Sequence, residues 1–161
     1  MDQKNRILFV CLGNICRSPL AEGIFTKKIK EKDLLKYFEV DSCGTSNYHI
    51  GDQPDQRTRE NALKHNVNLF HKARQLTYDD LSSFDYILAM DENNLKEIRL
   101  LDKNDTFREK IFLMRAFETN TEQKNVPDPY FGGEEGFENV FNILDRSIDG
   151  FINYFLQLKN S

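Results

Sequence analysis

The segment Arg6-Ile7-Leu8-Phe9-Val10-Cys11 constrains this chain more than any other. A continuously apolar run of this length fills a strand covered on both faces, the kind found at the centre of a parallel sheet. The next twenty residues narrow the choice further. After the loop Leu12 to Arg17, Ser18 and Pro19 supply a helix cap and a first-turn proline, and Glu22 suits the helix dipole. Ile24, Phe25 and Ile29 then form a helical stripe. Strand, tight loop, helix is the resulting unit, and a parallel partner strand must come next.

The pattern does repeat. Phe38 to Cys43 reads as a second strand and Gln56 to Asn66 as a helix, separated by a polar loop containing Gly44, Gly51 and Pro54. Tyr86 to Met90 reads as a third strand, Glu92 to Leu101 as a helix, and Ile111 to Met114 as a fourth strand. A long polar connection from Glu118 to Glu135 holds Val126-Pro127-Asp128-Pro129-Tyr130-Phe131-Gly132-Gly133, a length that in a compact domain signals function. Val140, Ile143, Leu144, Ile148, Ile152 and Phe155 mark a closing amphipathic helix. The expectation is an α/β fold, a four-stranded doubly wound parallel sheet with helices on both faces, in which a ligand sits beyond the C-terminal strand ends.

Composition closes off several function classes. With 39% hydrophobic residues in 161, the chain can bury one core, and residues 1–161 read as a single domain. No apolar stretch approaches the roughly 20 residues of a membrane span, and the N-terminus lacks a signal peptide's apolar core, so a cytoplasmic protein is expected. A net charge of -4 offers no global field for a nucleic acid. Cys11, Cys16 and Cys43 are too few and too unevenly placed for a secreted disulfide framework.

The chemistry concentrates in Cys11-Leu12-Gly13-Asn14-Ile15-Cys16-Arg17-Ser18-Pro19. A thiol stands at a strand end, a guanidinium comes six residues later, and a helix starts immediately behind. Backbone amides in such a loop converge on one point, and Gly13 and Asn14 can take the left-handed conformations its curvature requires. Arg17 can bind two phosphoryl oxygens as a fork, and the positive potential favours a thiolate at Cys11. A buried cysteine is ordinarily a small hydrophobe, but the adjoining arginine and glycine argue for more. Zinc would want a further cysteine pair, an ATP-type loop would want Gly-Lys-Ser/Thr, and thioredoxin-like exchange would want two residues between the thiols where four stand. Thiol-based phosphoryl transfer fits best.

These residues closely resemble the signature of the low-molecular-weight protein tyrosine phosphatases, a Cys, five residues, then Arg-Ser. The resemblance runs on through Asp41-Ser42-Cys43-Gly44-Thr45-Ser46, Tyr48-His49-Ile50-Gly51-Asp52-Gln53-Pro54, His71-Lys72-Ala73-Arg74-Gln75, Met90-Asp91-Glu92-Asn93-Asn94 and Asp128-Pro129-Tyr130. It implies that Cys11 attacks phosphorus to form a phosphocysteine, that Arg17 and the loop amides hold the equatorial oxygens, and that Asp128 protonates the departing phenolate. It implies no metal and no cofactor, a hydroxyl from Ser18 to the cysteine sulfur, and bracing of the loop by Asn14, Ser42 and His71. Substrate contacts are expected from Leu12, Gly13, Asn14, Ile15, Cys16 and Ser18 on the cradle and from Tyr48, Tyr130 and Phe131 on flanking loops, whose aromatic faces suit a phenyl ring.

The expected substrates are phosphotyrosine proteins and small aryl phosphates, with phosphate and other oxyanions also binding the loop; a monomer with weak dimerisation is expected. Arsenate reductases of this fold use additional downstream cysteines, and none comes after Cys43. Protein-arginine phosphatases favour Thr where Ile15 stands, so Ile15 points to an aryl substrate. A non-catalytic phosphotyrosine-binding module would lack Cys11, Arg17 or Asp128, and all three are present. Cys43 reads as packing. Cys16, in the same tight loop as Cys11, reads equally as packing against the first helix or as a partner for Cys11 in a protective disulfide under peroxide, and the resemblance favours the disulfide.

Overall fold

A computed structural model describes residues 3–130 and 132–160. Strand β1 (Asn5–Cys11) lies between β2 (Phe38–Gly44) and β3 (Tyr86–Ala89), and β4 (Ile111–Leu113) pairs with β3, giving the order β2-β1-β3-β4 with every pairing parallel. The central position of β1 follows from its sequence. Because side chains alternate along a strand, Ile7, Phe9 and Cys11 enter one core cluster while Leu8 and Val10 enter the other, and both sets are buried.

Helices α1 (Arg17–Glu31) and α5 (Gly133–Lys159) cover the first face, and α3 (Tyr78–Ser83) and α4 (Glu92–Leu101) the second; α2 (Gln56–Lys64) packs on α5. Phe25 of α1 anchors the first face, with ring centroids 5.8 Å from Phe9, 5.0 Å from Phe38 and 6.0 Å from Phe151. Burying one such ring contributes about 1.5–3 kcal/mol, and truncating it to Ala costs about 3–5 kcal/mol once the cavity is counted. Gly150 explains how α5 approaches so closely: a Cβ there would fall 1.8 Å from the carbonyl oxygen of Phe117.

Element types match the sequence reading, and the boundaries differ for physical reasons. Helix α1 begins at Arg17 with Cys16 as its cap residue, so Ser18 is no cap; its hydroxyl turns to the Cys11 sulfur instead. Glu22 likewise serves Ser42, whose hydroxyl it accepts at 2.7 Å, more than the helix dipole. Helix α2 stops at Lys64 because Asn66 takes a left-handed φ of 61°. Strand β3 ends one residue early, at Ala89, and β4 ends at Leu113 where Met114–Phe117 tighten into a 3₁₀ turn. Helix α3 has only six residues, too few for a periodic pattern, and rests on a capping box between Thr77 and Asp80. Helix α5 starts at Gly133, so Glu134 and Glu135 belong to its first turn, where carboxylates suit the dipole. Among the described residues no helix is long and apolar enough to cross a membrane.

Candidate active site

At the C-terminal ends of β1 and β3 the chain builds a cup. Its rim is fixed by carbonyls that bond outward. Cys11 O accepts from Thr45 N–H, Leu12 O from Ser46 N–H, Ile15 O from Asp55 N–H and Cys16 O from Leu20 N–H, at 2.8–3.2 Å. In a planar trans peptide the carbonyl and the following N–H point oppositely, so the amides of Leu12, Gly13, Cys16 and Arg17 turn away from those partners. Gly44 is required here, since a Cβ on it would lie 2.7 Å from Leu12 O and 3.1 Å from Asn14 N.

Of the two residues expected in left-handed conformations, Asn14 adopts one, with φ 59°, and Gly13 does not. Asn14 is held there from every side. Its Nδ2 donates to Ser18 Oγ at 2.8 Å and Ser42 Oγ at 3.1 Å, and its Oδ1 accepts from Arg74 N–H at 2.9 Å. Because that carboxamide oxygen is the acceptor, the His71 Nε2 at 2.7 Å from it is the N–H tautomer. Asn14 N–H points at the Cys11 sulfur at 3.3 Å, and Ser18 Oγ lies 3.0 Å from the same atom. The buried sulfur thus sits between a main-chain amide and a hydroxyl, both within hydrogen-bonding reach.

Arg17 is buried at the back of the cup. Its Nη1 donates to Asp91 Oδ2 at 2.6 Å and to Val126 O at 3.0 Å, while Nη2 lies 3.9 Å from Asp128 Oδ2. Asp91 stands just beyond β3 and caps α4 through its other oxygen, which accepts from Asn94 N–H at 2.7 Å. The guanidinium is thus aimed by a carboxylate that is itself locked, the arrangement a preorganised anion site needs.

The cup holds a cavity of about 220 Å³ lined by Cys11, Leu12, Gly13, Ile15, Cys16, Arg17, Tyr48, His49, Asp128 and Tyr130. The side chains of Asn14, Ser18, Ser42 and His71 are not among those lining this cavity; Asn14 bonds to the other three. Phe131 falls outside the described residues. His49 is the lining residue that sequence reasoning missed: its ring lies against Gly13, and its Nδ1 is 3.2 Å from Asp52 Oδ2. It belongs to the Tyr48 to Pro54 segment, but a histidine three residues before an aspartate in a loop has no distinctive pattern. Arg74, Asp91, Asp55 and Arg57 were missed as organisers for the same reason.

All three cysteines are free of disulfides and buried. Burial pushes Cys16 up to about 12 and Cys43 well above its ordinary value, so both stay protonated near neutrality. Behind the loop, Glu22, Asp41 and His71 bring potential ligand atoms within 4.8 Å of one another. His71 Nδ1 is 3.3 Å from Glu22 Oε1 and 3.5 Å from Asp41 Oδ1, and the Ser42 hydroxyl and amide hold those same two oxygens. Burial pushes Glu22 up to about 7 and draws His71 below its ordinary value.

Known proteins share this arrangement. The family model for low molecular weight phosphotyrosine protein phosphatase matches residues 6–160. A low molecular weight phosphotyrosine protein phosphatase of Homo sapiens is 40% identical over 147 residues, 91% of this chain and 92% of its own. A crystal structure of a protein tyrosine phosphatase from Entamoeba histolytica with Hepes in the active site superposes with a TM-score of 0.91 at 40% identity, over 97% of this chain and 99% of its own. The Drosophila arginine phosphatase superposes with a TM-score of 0.86 at 31% identity, over 92% and 96%. A match that omits only the extreme termini, on a fold whose first loop carries the thiol and the arginine, leaves one assignment: the chain belongs to the low molecular weight phosphotyrosine protein phosphatases, cysteine-based enzymes built round a phosphate-binding loop.

Proposed function

We propose that the protein hydrolyses phosphotyrosine and small aryl phosphates without a metal, through a phosphocysteine on Cys11. The convergence of the Cys11 sulfur, the Arg17 guanidinium and the Asp128 carboxylate on one small cavity carries the reading. In the first step the Cys11 thiolate attacks phosphorus and the bond to the phenolic oxygen breaks. Asp128 delivers its proton to that oxygen. In the second step the Asp128 carboxylate takes a proton from water, the hydroxide equivalent attacks phosphorus, and the sulfur–phosphorus bond breaks. Arg17 and the loop amides hold the three equatorial oxygens through both steps, supplying charge stabilisation that a divalent ion gives elsewhere. The Ser18 hydroxyl steadies the sulfur as it leaves.

The walls set the substrate. Tyr48, 73% exposed, and Tyr130, 43% exposed, stand on separate loops flanking the cup, with Leu12 and Ile15 between them, a slot for a flat ring. The arginine phosphatase relative favours a second reading, phosphoarginine hydrolysis. Against it, Ile15 offers no hydroxyl to a guanidinium. The same proposal takes the enzyme to be cytoplasmic and monomeric, with phosphate and other oxyanions binding the loop.

Release of phosphate from p-nitrophenyl phosphate in the presence of EDTA, with a stoichiometric burst of phenol, tests the scheme. Loss of activity in EDTA, or full activity in Cys11→Ser, would overturn it. Competition between phosphotyrosine and phosphoarginine peptides decides the substrate, and faster hydrolysis of phosphoarginine would favour the second reading.

A further inference from the structure

Asp128 sits on a loop with few anchors of its own, yet a general acid must be placed to within about 1 Å of the oxygen it protonates. One end of its carboxylate is spoken for: Oδ1 accepts from Tyr130 N–H at 3.0 Å, leaving Oδ2 on the side of Arg17. The main chain of residue 130 therefore aims the acid. The carbonyl of that residue is in turn held by Arg57, whose Nη1 donates to it at 2.9 Å.

Arg57 is fixed by Asp55. Its Nε reaches Asp55 Oδ1 at 3.2 Å and its Nη2 reaches Oδ2 at 3.2 Å, a two-point fork. Its guanidinium carbon lies 5.0 Å from the ring centre of Tyr130 and 4.8 Å from that of Phe137 on α5. Asp55 is immobilised twice over. Its carboxylate caps α2 by accepting from Arg57 N–H at 2.8 Å, and its own N–H donates to Ile15 O, also at 2.8 Å, on the phosphate loop.

We propose that Asp55 and Arg57 form a strut from the phosphate loop to the acid loop, and that Arg57 is the positioning residue that sets where Asp128 stands relative to Cys11. The proposal rests on the reading of Asp128 as the acid. A plain surface ion pair would add little, since exposed pairs contribute about 0–1 kcal/mol. Here the pair bonds at one end to Ile15 and at the other to residue 130, so its effect lies in the separation it fixes. Lysine could not replace Arg57, because a single ammonium cannot engage both carboxylate oxygens and a third, coplanar carbonyl.

The test is a leaving-group comparison in a double-mutant cycle. Steady-state kinetics are measured on phosphotyrosine and on a polynitrophenyl phosphate for the parent, Arg57→Ala, Arg57→Lys, Asp128→Asn and Arg57→Ala/Asp128→Asn. Arg57→Ala is expected to lower kcat on phosphotyrosine by about 10- to 100-fold, to leave the polynitrophenyl ester within about threefold, and to add nothing to Asp128→Asn. Arg57→Lys should resemble Arg57→Ala. Asp55→Asn, which keeps shape and cap, supplies the same readout if Arg57→Ala fails to fold. A flat loss across leaving groups in Asp128→Asn would fell the acid reading and the strut with it. A leaving-group-dependent loss in Asp128→Asn beside no loss, a flat loss or an additive loss in Arg57→Ala would fell the strut alone.

Discussion

The two loops that meet at the cavity are built on opposite plans. The phosphate loop is buried and over-determined: Asn14, Ser18 and Ser42 are each no more than 1% exposed, and every one is bonded to another member of the group. The acid loop is anchored behind at Val126, whose N–H donates to Met90 O and whose carbonyl accepts from Arg17, but the Asp128 side chain beyond it is 53% accessible. The contrast reflects what each must do. An anion site gains from donors that need no reorganisation when charge develops, whereas the residue that protonates a leaving group must admit a whole tyrosine side chain and release it. Rigidity belongs under the phosphate and access beside it.

Breaking the rigid side at its reacting atom should have the largest effect. Cys11→Ser removes the nucleophile and leaves the cup, so kcat should fall by on the order of 10⁴-fold or more while the protein still binds phosphotyrosine peptide. Isothermal titration with the peptide beside a hydrolysis assay checks both halves. Loss of binding together with loss of turnover would mean that the sulfur is part of the scaffold, erasing the contrast.

On the open side, Asp128→Asn should cost about 10² to 10⁴ in kcat for phosphotyrosine and much less for an ester whose phenol is acidic. Melting temperature should hardly change, because the side chain is half exposed, the hydrogen bond from Tyr130 N–H can be accepted by an amide oxygen, and the pair with Arg17 is long at 3.9 Å. A drop in melting temperature comparable to that of a phosphate-loop variant would show that the two loops are less different than their burial suggests.

Asn14 separates geometry from chemistry within the rigid loop. Removing its carboxamide takes the acceptor from His71 Nε2–H and Arg74 N–H, at about 1–3 kcal/mol for each buried donor left unpaired, while Ser18 and Ser42 keep their bonds to Cys11 and Glu22. Asn14→Gly keeps the left-handed φ free of cost, while Asn14→Ala adds roughly 1–2 kcal/mol of backbone strain. Denaturant midpoints of the pair should therefore differ in that order, with kcat reduced in both. Equal midpoints would show that the loop abandons its φ of 59° once the side chain is gone.

The same contrast explains what could be read in the amino-acid order. β1 announces itself because a strand buried on both faces must be apolar without interruption, and the phosphate loop because thiol, glycine and arginine fall within seven consecutive residues, Cys11 to Arg17. Helix α4 is legible to the residue since Asp91 caps it and Leu101 ends its apolar face. The braces are harder. Arg74, Asp91 and Asp55 brace the loop through hydrogen bonds to Asn14, Arg17 and Ile15, segments far from them in the chain, and nothing local distinguishes such a residue from a surface charge. Arg57 is the extreme case, a helix arginine whose partner is a carbonyl 73 positions away.

Cys16 offers a smaller, kinetic test inside the cup. Were peroxide to oxidise Cys11 to a sulfenic acid, a Cys16 thiolate attacking that sulfur would form the disulfide and release hydroxide. Cys16 lines the same cavity, but its thiol, pushed up to about 12 chiefly by burial, supplies little thiolate at neutral pH. Formation should thus quicken roughly tenfold per pH unit below that value. The fraction of activity that dithiothreitol restores should rise with the pH of oxidation in the parent and stay flat in Cys16→Ser. A pH-independent recovery in the parent would remove Cys16 as the resolving thiol.

The finest distinction is in how stability responds to pH, which should originate under the rigid loop and not at the open one. Glu22 is raised from 4.5 to about 7, mainly by burial and further by Asp41, against the Ser42 hydroxyl and Arg74 that favour its charged form. Between those values the folded protein keeps a proton that the unfolded chain has given up, so unfolding releases a proton and stability falls as pH rises through the window. Its neighbour His71, lowered chiefly by burial, acts oppositely: below 6.5 the unfolded chain binds the extra proton, and stability rises with pH. Comparing the parent with Glu22→Gln isolates the first contribution. Urea midpoints measured at about pH 5 and about pH 8 should show the variant gaining on the parent as pH rises, because the glutamine keeps an acceptor for Ser42 without a charge to desolvate. A midpoint difference that stays constant with pH would place the Glu22 carboxylate in a solvated setting, and the underside of the phosphate loop would then be as open to water as the acid loop opposite it.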